Sequence, residues 1–207
     1  MDSHREPGAH HSFPRFYPHV TLATIKPAAS ATTTPTSSEA HPTATSEPGY
    51  TSSREKAAAL LALREAMPLG QTAVDVRFGR LIAGDDYYRS VYVALLLSRE
   101  LVELRAALSA ALGSPGPGPP AFPHLSLYYI ADEDAHARTR VMQELERENV
   151  VAPSADERGI VLRCGSGPDG PVTLDGFTGT QLWMVDCEGP VEEWEVLDKI
   201  LLAEPDL

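Results

Sequence analysis

Two short stretches hold the residues with which this chain could do chemistry: Phe16-Tyr-Pro-His-Val-Thr-Leu22 and Phe122-Pro-His-Leu-Ser-Leu127, with 105 positions between His19 and His124. Each sets an imidazole two residues ahead of a small hydroxyl, inside an apolar run. In an extended strand alternate side chains share a face, so His19 and Thr21 point one way and Val20 and Leu22 the other. The same parity groups His124 with Ser126. It also places Tyr128 on that face, as a candidate for stacking on a base, and turns Tyr129 inward. Two imidazoles held together can serve as base and acid near neutral pH, because one is neutral while the other is protonated. Hydroxyls beside them can donate hydrogen bonds to non-bridging oxygens on phosphorus. The set suits attack of water on a cyclic phosphodiester. One histidine takes the proton of water, the other protonates the departing ribose oxygen, and Thr21 and Ser126 hold the phosphoryl group. This chemistry calls for no metal and no cofactor.

The elements that must position these residues follow from local pattern. Phe16 to Ile25 reads as a first strand, after a polar amino-terminal stretch, residues 1–15, expected to be disordered. Residues 27–53 are rich in Ala, Thr, Ser and Pro with almost no large apolar residue, and are expected to form a disordered insertion. Ser52 and Glu55 resemble a capping box opening a helix to Met67. Thr72 to Ala83 alternates as a strand, with Val74, Val76, Phe78 and Leu81 on its inner side. A turn at Asp85-Asp86 leads into a β-rich run, Tyr87 to Leu97, so the two can form a hairpin. Leu101, Leu104, Leu108 and Ala111 recur at helical spacing before Gly113, which predicts a helix over Arg99 to Leu112. After the breaker Pro115-Gly-Pro-Gly-Pro-Pro120 comes the second histidine strand. The acidic Asp132-Glu-Asp134 then opens a third helix to about Asn149. Residues 160–164 and 180–187 read as further strands around a glycine-rich turn. The acidic cluster at residues 192–195 reads as another solvated helix start. Trp183 and Trp194 read as core and lobe-packing residues. The expected architecture is α+β, with two pseudo-symmetric lobes of antiparallel sheet and helices around a central cleft, over residues 16–202.

Composition narrows the choice of partners. With 207 residues and 43% apolar side chains the chain can bury a real core, and a formal charge of −12 argues against a nucleic-acid polymer. A small phosphorylated ligand needs only a few local donors, so it stays open. Cys164 and Cys187 lack metal-site or redox spacing, no disulfide is expected, and a reducing, intracellular compartment fits. No apolar run is long enough to span a membrane, and neither a membrane partner nor an oligomer is expected. His4, His10, His11 and His41 lie in polar segments and read as solvated, as does His136 early in the third helix.

The paired His-x-Thr and His-x-Ser tripeptides, each after Pro and before Leu, resemble the signature of the 2H phosphoesterases. Leu182-Trp-Met-Val-Asp-Cys-Glu-Gly-Pro-Val-Glu-Glu-Trp-Glu-Val-Leu197 is similar to the closing segment of the fungal and yeast-type 2′,3′-cyclic-nucleotide 3′-phosphodiesterases. The resemblance covers roughly residues 16–200 apart from the insertion. It implies hydrolysis of 2′,3′-cyclic nucleotides to nucleoside 2′-phosphates. It also implies opening of ADP-ribose 1″,2″-cyclic phosphate, a by-product of transfer RNA splicing. The carried-over residues are His19 and Thr21 with His124 and Ser126, with His124 as the favoured base. The family places such enzymes in the cytoplasm or at the Golgi. Family members usually carry a strand and a helix before the first motif. Here about 18 mostly polar residues precede His19, which implies an unpaired edge beside the first motif. Two alternatives stay open: a 2H enzyme processing RNA ends, and an inactive relative that binds phosphate without turnover.

Overall fold

Alternating apolar positions build the first framework strands. The structure, a computed structural model, describes residues 16–24, 53–67, 70–112, 123–167 and 170–204. Strand β1, Val74–Ala83, buries Val74, Val76 and Phe78 by strict alternation. Its register against β2, Val91–Leu95, shifts between Phe78 and Arg80, so the parity changes and Leu81 also packs on the core. The predicted hairpin is present, but its second strand starts late. Asp86 caps a 3₁₀ turn over Tyr87–Arg89 through its carboxylate, and only then does the chain extend. Helices α1, Ser53–Ala66, and α2, Arg99–Ala111, match their expected positions. Ser98 caps α2 by accepting the Leu101 N–H at 3.1 Å. Ser52 and Gly113 fall outside the described residues, as do residues 1–15 and 27–52.

The second histidine motif forms β3, His124–Tyr128, antiparallel to β2. A 3₁₀ turn at Asp132–Asp134 precedes α3, His136–Arg147, so the predicted third helix starts later than its acidic residues suggest. The rest is richer in strand than the sequence pattern indicates: β4, Val151–Pro153; β5, Ile160–Gly167; β6, Gly170–Leu174; β7, Gly176–Gly179; β8, Gln181–Asp186; and β9, Glu195–Leu201. The acidic tail is therefore no helix start. A short 3₁₀ turn at Val191–Glu193 leads into β9, where Val196 and Ile200 pair with β8. The strands form antiparallel sheets in the orders β3-β2-β1-β7, β4-β5-β6 and β8-β9, so the fold is α+β with mixed helices and antiparallel sheets.

Burial separates the apolar residues into two clusters. One joins Phe78, Val91, Val93, Leu125 and Ile130 to α3 and β5. The other joins Val74 and Leu63 to Leu101, Leu104 and Leu108, with Leu182, Met184 and Ile200 of the β8-β9 pair packed against it. Each fully buried valine such as Val91 or Val93 contributes about 1.5–3 kcal/mol. The first sheet presses on the β4-β5-β6 sheet so closely that a Cβ on Gly159 would lie 2.1 Å from the Phe78 carbonyl oxygen, which only glycine permits. Val20 packs against both clusters, so the first histidine motif sits where the two meet.

Candidate active site

The expected first strand is reduced to a single antiparallel bridge, Val20 opposite Leu125. Pro18 has no N–H to offer a ladder, and the Tyr17 carbonyl is taken by the His19 ring, whose Nδ1 lies 2.7 Å away. That one bridge still sets the register of the two motifs. Antiparallel pairing around Val20 and Leu125 puts His19 opposite Ser126 and Thr21 opposite His124. Val20, Leu125 and Val93 point into the core, so the four polar residues share the other face. His19 and His124 are then diagonal neighbours in that register, a relation that in a regular antiparallel pair sets Cα atoms roughly 7–8 Å apart.

A carbonyl only accepts hydrogen bonds, so His19 Nδ1 donates to Tyr17 and Nε2 is the nitrogen left for proton transfer. The His124 ring meets Tyr92 edge-on at 5.4 Å between centroids. Thr21 is half-buried, and its hydroxyl has no hydrogen-bond partner among the described residues. Ser126 is buried, and its hydroxyl donates to the Tyr88 carbonyl at 3.1 Å.

Parity fails at Tyr128, and the cause is long-range. The β2-β3 register shifts, with Val91 opposite Tyr128 but the next residue, Tyr92, opposite Ser126. The extra residue, Leu127, is a bulge that turns Tyr128 onto the core face beside Val91, where burial and the nearby Glu148 and Glu144 raise its phenol pKa. Tyr129 is swung to the histidine side instead. Its phenol is buried, which raises its pKa, while the neighbouring Ser126 hydroxyl pulls part of the way back. Around it stand Phe16 at 4.5 Å, Tyr87 stacked at 5.5 Å and Trp194 at 6.0 Å between ring centroids. Trp194 also lies 6.1 Å from the His19 ring and stacks on the exposed Tyr88 at 6.3 Å. Trp194 is thus half-buried beside the motif rather than in either core cluster. Trp183 lies on β8, its face opposite the apolar Leu182 and Met184. Sequence reasoning missed Tyr129 and Trp194. The Tyr128-Tyr129 doublet offered both parities, which was the available signal.

The turn that supplies the Tyr88 carbonyl is itself pinned. Ser90, with no exposed surface, accepts the Ile130 N–H at 2.9 Å and donates to the Tyr87 carbonyl at 2.8 Å. Buried Arg138 reaches the Ile130 carbonyl at 2.9 Å and pairs with Asp132. The end of β3 and the 3₁₀ turn over Tyr87–Arg89 are therefore clamped to each other just behind Ser126. His136 is exposed at the start of α3. Cys164 and Cys187 are both free and exposed, with no disulfide between them. Hollows lined by Arg80, Glu146 and Asn149, and by Asp75, Arg77 and Asp175, contain neither histidine. Among the described residues no cluster of three or more His, Cys, Asp or Glu is arranged to hold a metal ion. No described helix is long and apolar enough to cross a membrane.

Residues 119–202 match a family described as cyclic phosphodiesterase-like protein. The matched segment contains the His124 motif, Tyr129 and Trp194, and the His19 motif lies outside it. The match supports a 2H phosphoesterase-type family and a phosphoesterase function in general. No curated protein matches the chain.

Proposed function

We propose that the chain hydrolyses small cyclic phosphodiesters by two-histidine acid/base catalysis without a metal. The substrates of this reading are 2′,3′-cyclic nucleotides, opened to nucleoside 2′-phosphates, and ADP-ribose 1″,2″-cyclic phosphate, opened to ADP-ribose 1″-phosphate. The observation that carries it is the Val20–Leu125 bridge, whose register sets His19 against Ser126 and Thr21 against His124 on one face. In the reaction, His124 removes a proton from water as its oxygen bonds to phosphorus. His19 delivers a proton from Nε2 to the ribose 3′ oxygen as the P–O bond breaks. Thr21 donates to a non-bridging oxygen, and Ser126 does the same by exchanging the Tyr88 carbonyl for the phosphoryl group. Each positioned acid or base is worth about 10²–10⁴-fold in rate. The exposed face of Tyr88, backed by Trp194, is the base platform in place of Tyr128.

The test is turnover of 2′,3′-cyclic AMP in EDTA, followed by phosphorus NMR. The proposal expects the 2′-phosphate as product, with activity lost in both His19→Ala and His124→Ala. Activity confined to an RNA with a cyclic end, or lost on chelation, would overturn it. Binding without turnover would point to an inactive phosphate-binding relative.

A further inference from the structure

A second group of polar and aromatic side chains adjoins the histidines and has no part in the chemistry above. Tyr17, whose carbonyl holds His19, turns its ring to Trp183 edge-on at 5.5 Å between centroids. Trp183 pairs across β8-β9 with Lys199, whose Nζ sits 4.1 Å from the indole centroid. The indole is fixed in its plane by Nε1 donating to Gln181 Oε1 at 2.8 Å. From the opposite face of the two strands, Leu182, Met184 and Ile200 anchor the pair in the second apolar cluster. The platform is therefore rigid, while Tyr17 is 71% exposed.

Charge makes this arrangement informative. In a chain of formal charge −12, a lysine would ordinarily find a carboxylate. The neighbouring Asp198 is instead held by Arg64 at 2.5 and 3.0 Å, which binds α1 to β9. Lys199 enters no ion pair among the described residues and lies over an aromatic face. A cation with no carboxylate partner among the described residues, lying over an indole that in turn meets the exposed Tyr17 ring two residues before His19, has the chemistry to hold a phosphate with its attached base.

We infer that Tyr17, Trp183 and Lys199 form a second subsite, which takes the next phosphate and base of a substrate that extends beyond the cyclic phosphate. The inference rests on the cyclic-phosphodiesterase reading for the direction in which the substrate runs. Lys199 binds the distal phosphate, the Tyr17 ring stacks on the distal base, and Trp183 holds both in place. The distal part could be reached through one phosphate, as in a dinucleotide, or two, as in ADP-ribose.

Binding measured by calorimetry and by indole fluorescence tests this independently of turnover. The ligands are adenosine 2′-phosphate, the dinucleotide ApA bearing a 2′-phosphate on its 3′ nucleoside, and ADP-ribose 1″-phosphate, so that each carries the phosphate held at the histidines. At least one extended ligand should bind about tenfold more tightly than the mononucleotide, and which one does identifies the linkage. Lys199→Gln should remove that advantage, Lys199→Arg should restore it, and Trp183→Phe should retain part of it. Equal binding of all three ligands to the wild-type protein overturns the subsite, as does an advantage that survives Lys199→Gln. Turnover of 2′,3′-cyclic AMP, read separately on the same wild-type sample, shows whether the underlying reading of the histidines stands.

Discussion

Replacing Ser90 by alanine removes the peg behind the histidine face while changing no residue on it. Ser90 has no exposed surface, so water cannot take over its bonds. The Ile130 N–H, which it accepts at 2.9 Å, is left as an unpaired buried donor. The Ile130 carbonyl keeps its bond from Arg138, so the damage is concentrated on one N–H and the Tyr87 carbonyl. An orphaned buried donor costs about 1–3 kcal/mol, and we expect a loss near the middle, about 2 kcal/mol. For a domain of this size each kcal/mol lowers Tm by about 2–4 °C, which gives a drop of about 4–8 °C by calorimetry. The loosened 3₁₀ turn carries the Tyr88 carbonyl that fixes Ser126, so kcat/KM for 2′,3′-cyclic AMP should also fall, by about tenfold. Arg99→Ala serves as the control. Its pair with Glu103 is exposed at both partners, so both readouts should stay near wild type. A Ser90→Ala protein that melts within about 1 °C of wild type would refute the reasoning, because the clamp would then be contributing nothing.

Three further outcomes follow from the geometry. His19→Cys with Ser126→Cys, in a protein whose Cys164 and Cys187 are changed to serine, should form a disulfide on mild oxidation, because opposed residues of an antiparallel pair lie roughly 4.5–5.5 Å apart. Persistence of both thiols in a thiol titration of the folded protein would contradict the register. The Tyr129 phenol has its pKa raised by burial, so the folded state keeps its proton where the unfolded chain loses it. Its contribution is complete below the ordinary tyrosine value and is lost as pH rises through the raised one. Urea midpoints should fall between about pH 9 and pH 11, and less steeply in Tyr129→Phe. Asp198 behaves oppositely, since its hydrogen bond from Arg64 lowers its pKa. The stability it gives is present at neutral pH and is lost as pH falls through the carboxylate range toward the lowered value. Asp198→Asn should flatten the decline between about pH 6 and pH 3.

What could be read beforehand was local. The three helices, the β1-β2 hairpin and the second histidine strand follow from periodicity and caps over a dozen residues or fewer. The pairing of His19 with Thr21, and of His124 with Ser126, was legible for the same reason. The exchange of Tyr128 for Tyr129 was not, because the bulge at Leu127 is set by where β2 pairs and leaves no mark in the β3 residues themselves. Strands β6 and β7 were hidden because β6 opens on Gly-Pro and is exposed throughout, while two of the four residues of β7 are glycine, so neither shows alternation. Trp194 reaches His19 through the turn at Val191–Glu193, whose acidic residues mimic the start of a helix.

The central claim is that His19 and His124 act on one phosphorus atom in opposite protonation states. The pH dependence of kcat/KM for 2′,3′-cyclic AMP tests it most directly. The account predicts a bell, with one limb missing from the residual rate of His19→Ala and the other limb missing from that of His124→Ala. A bell that keeps both limbs in either variant would contradict it.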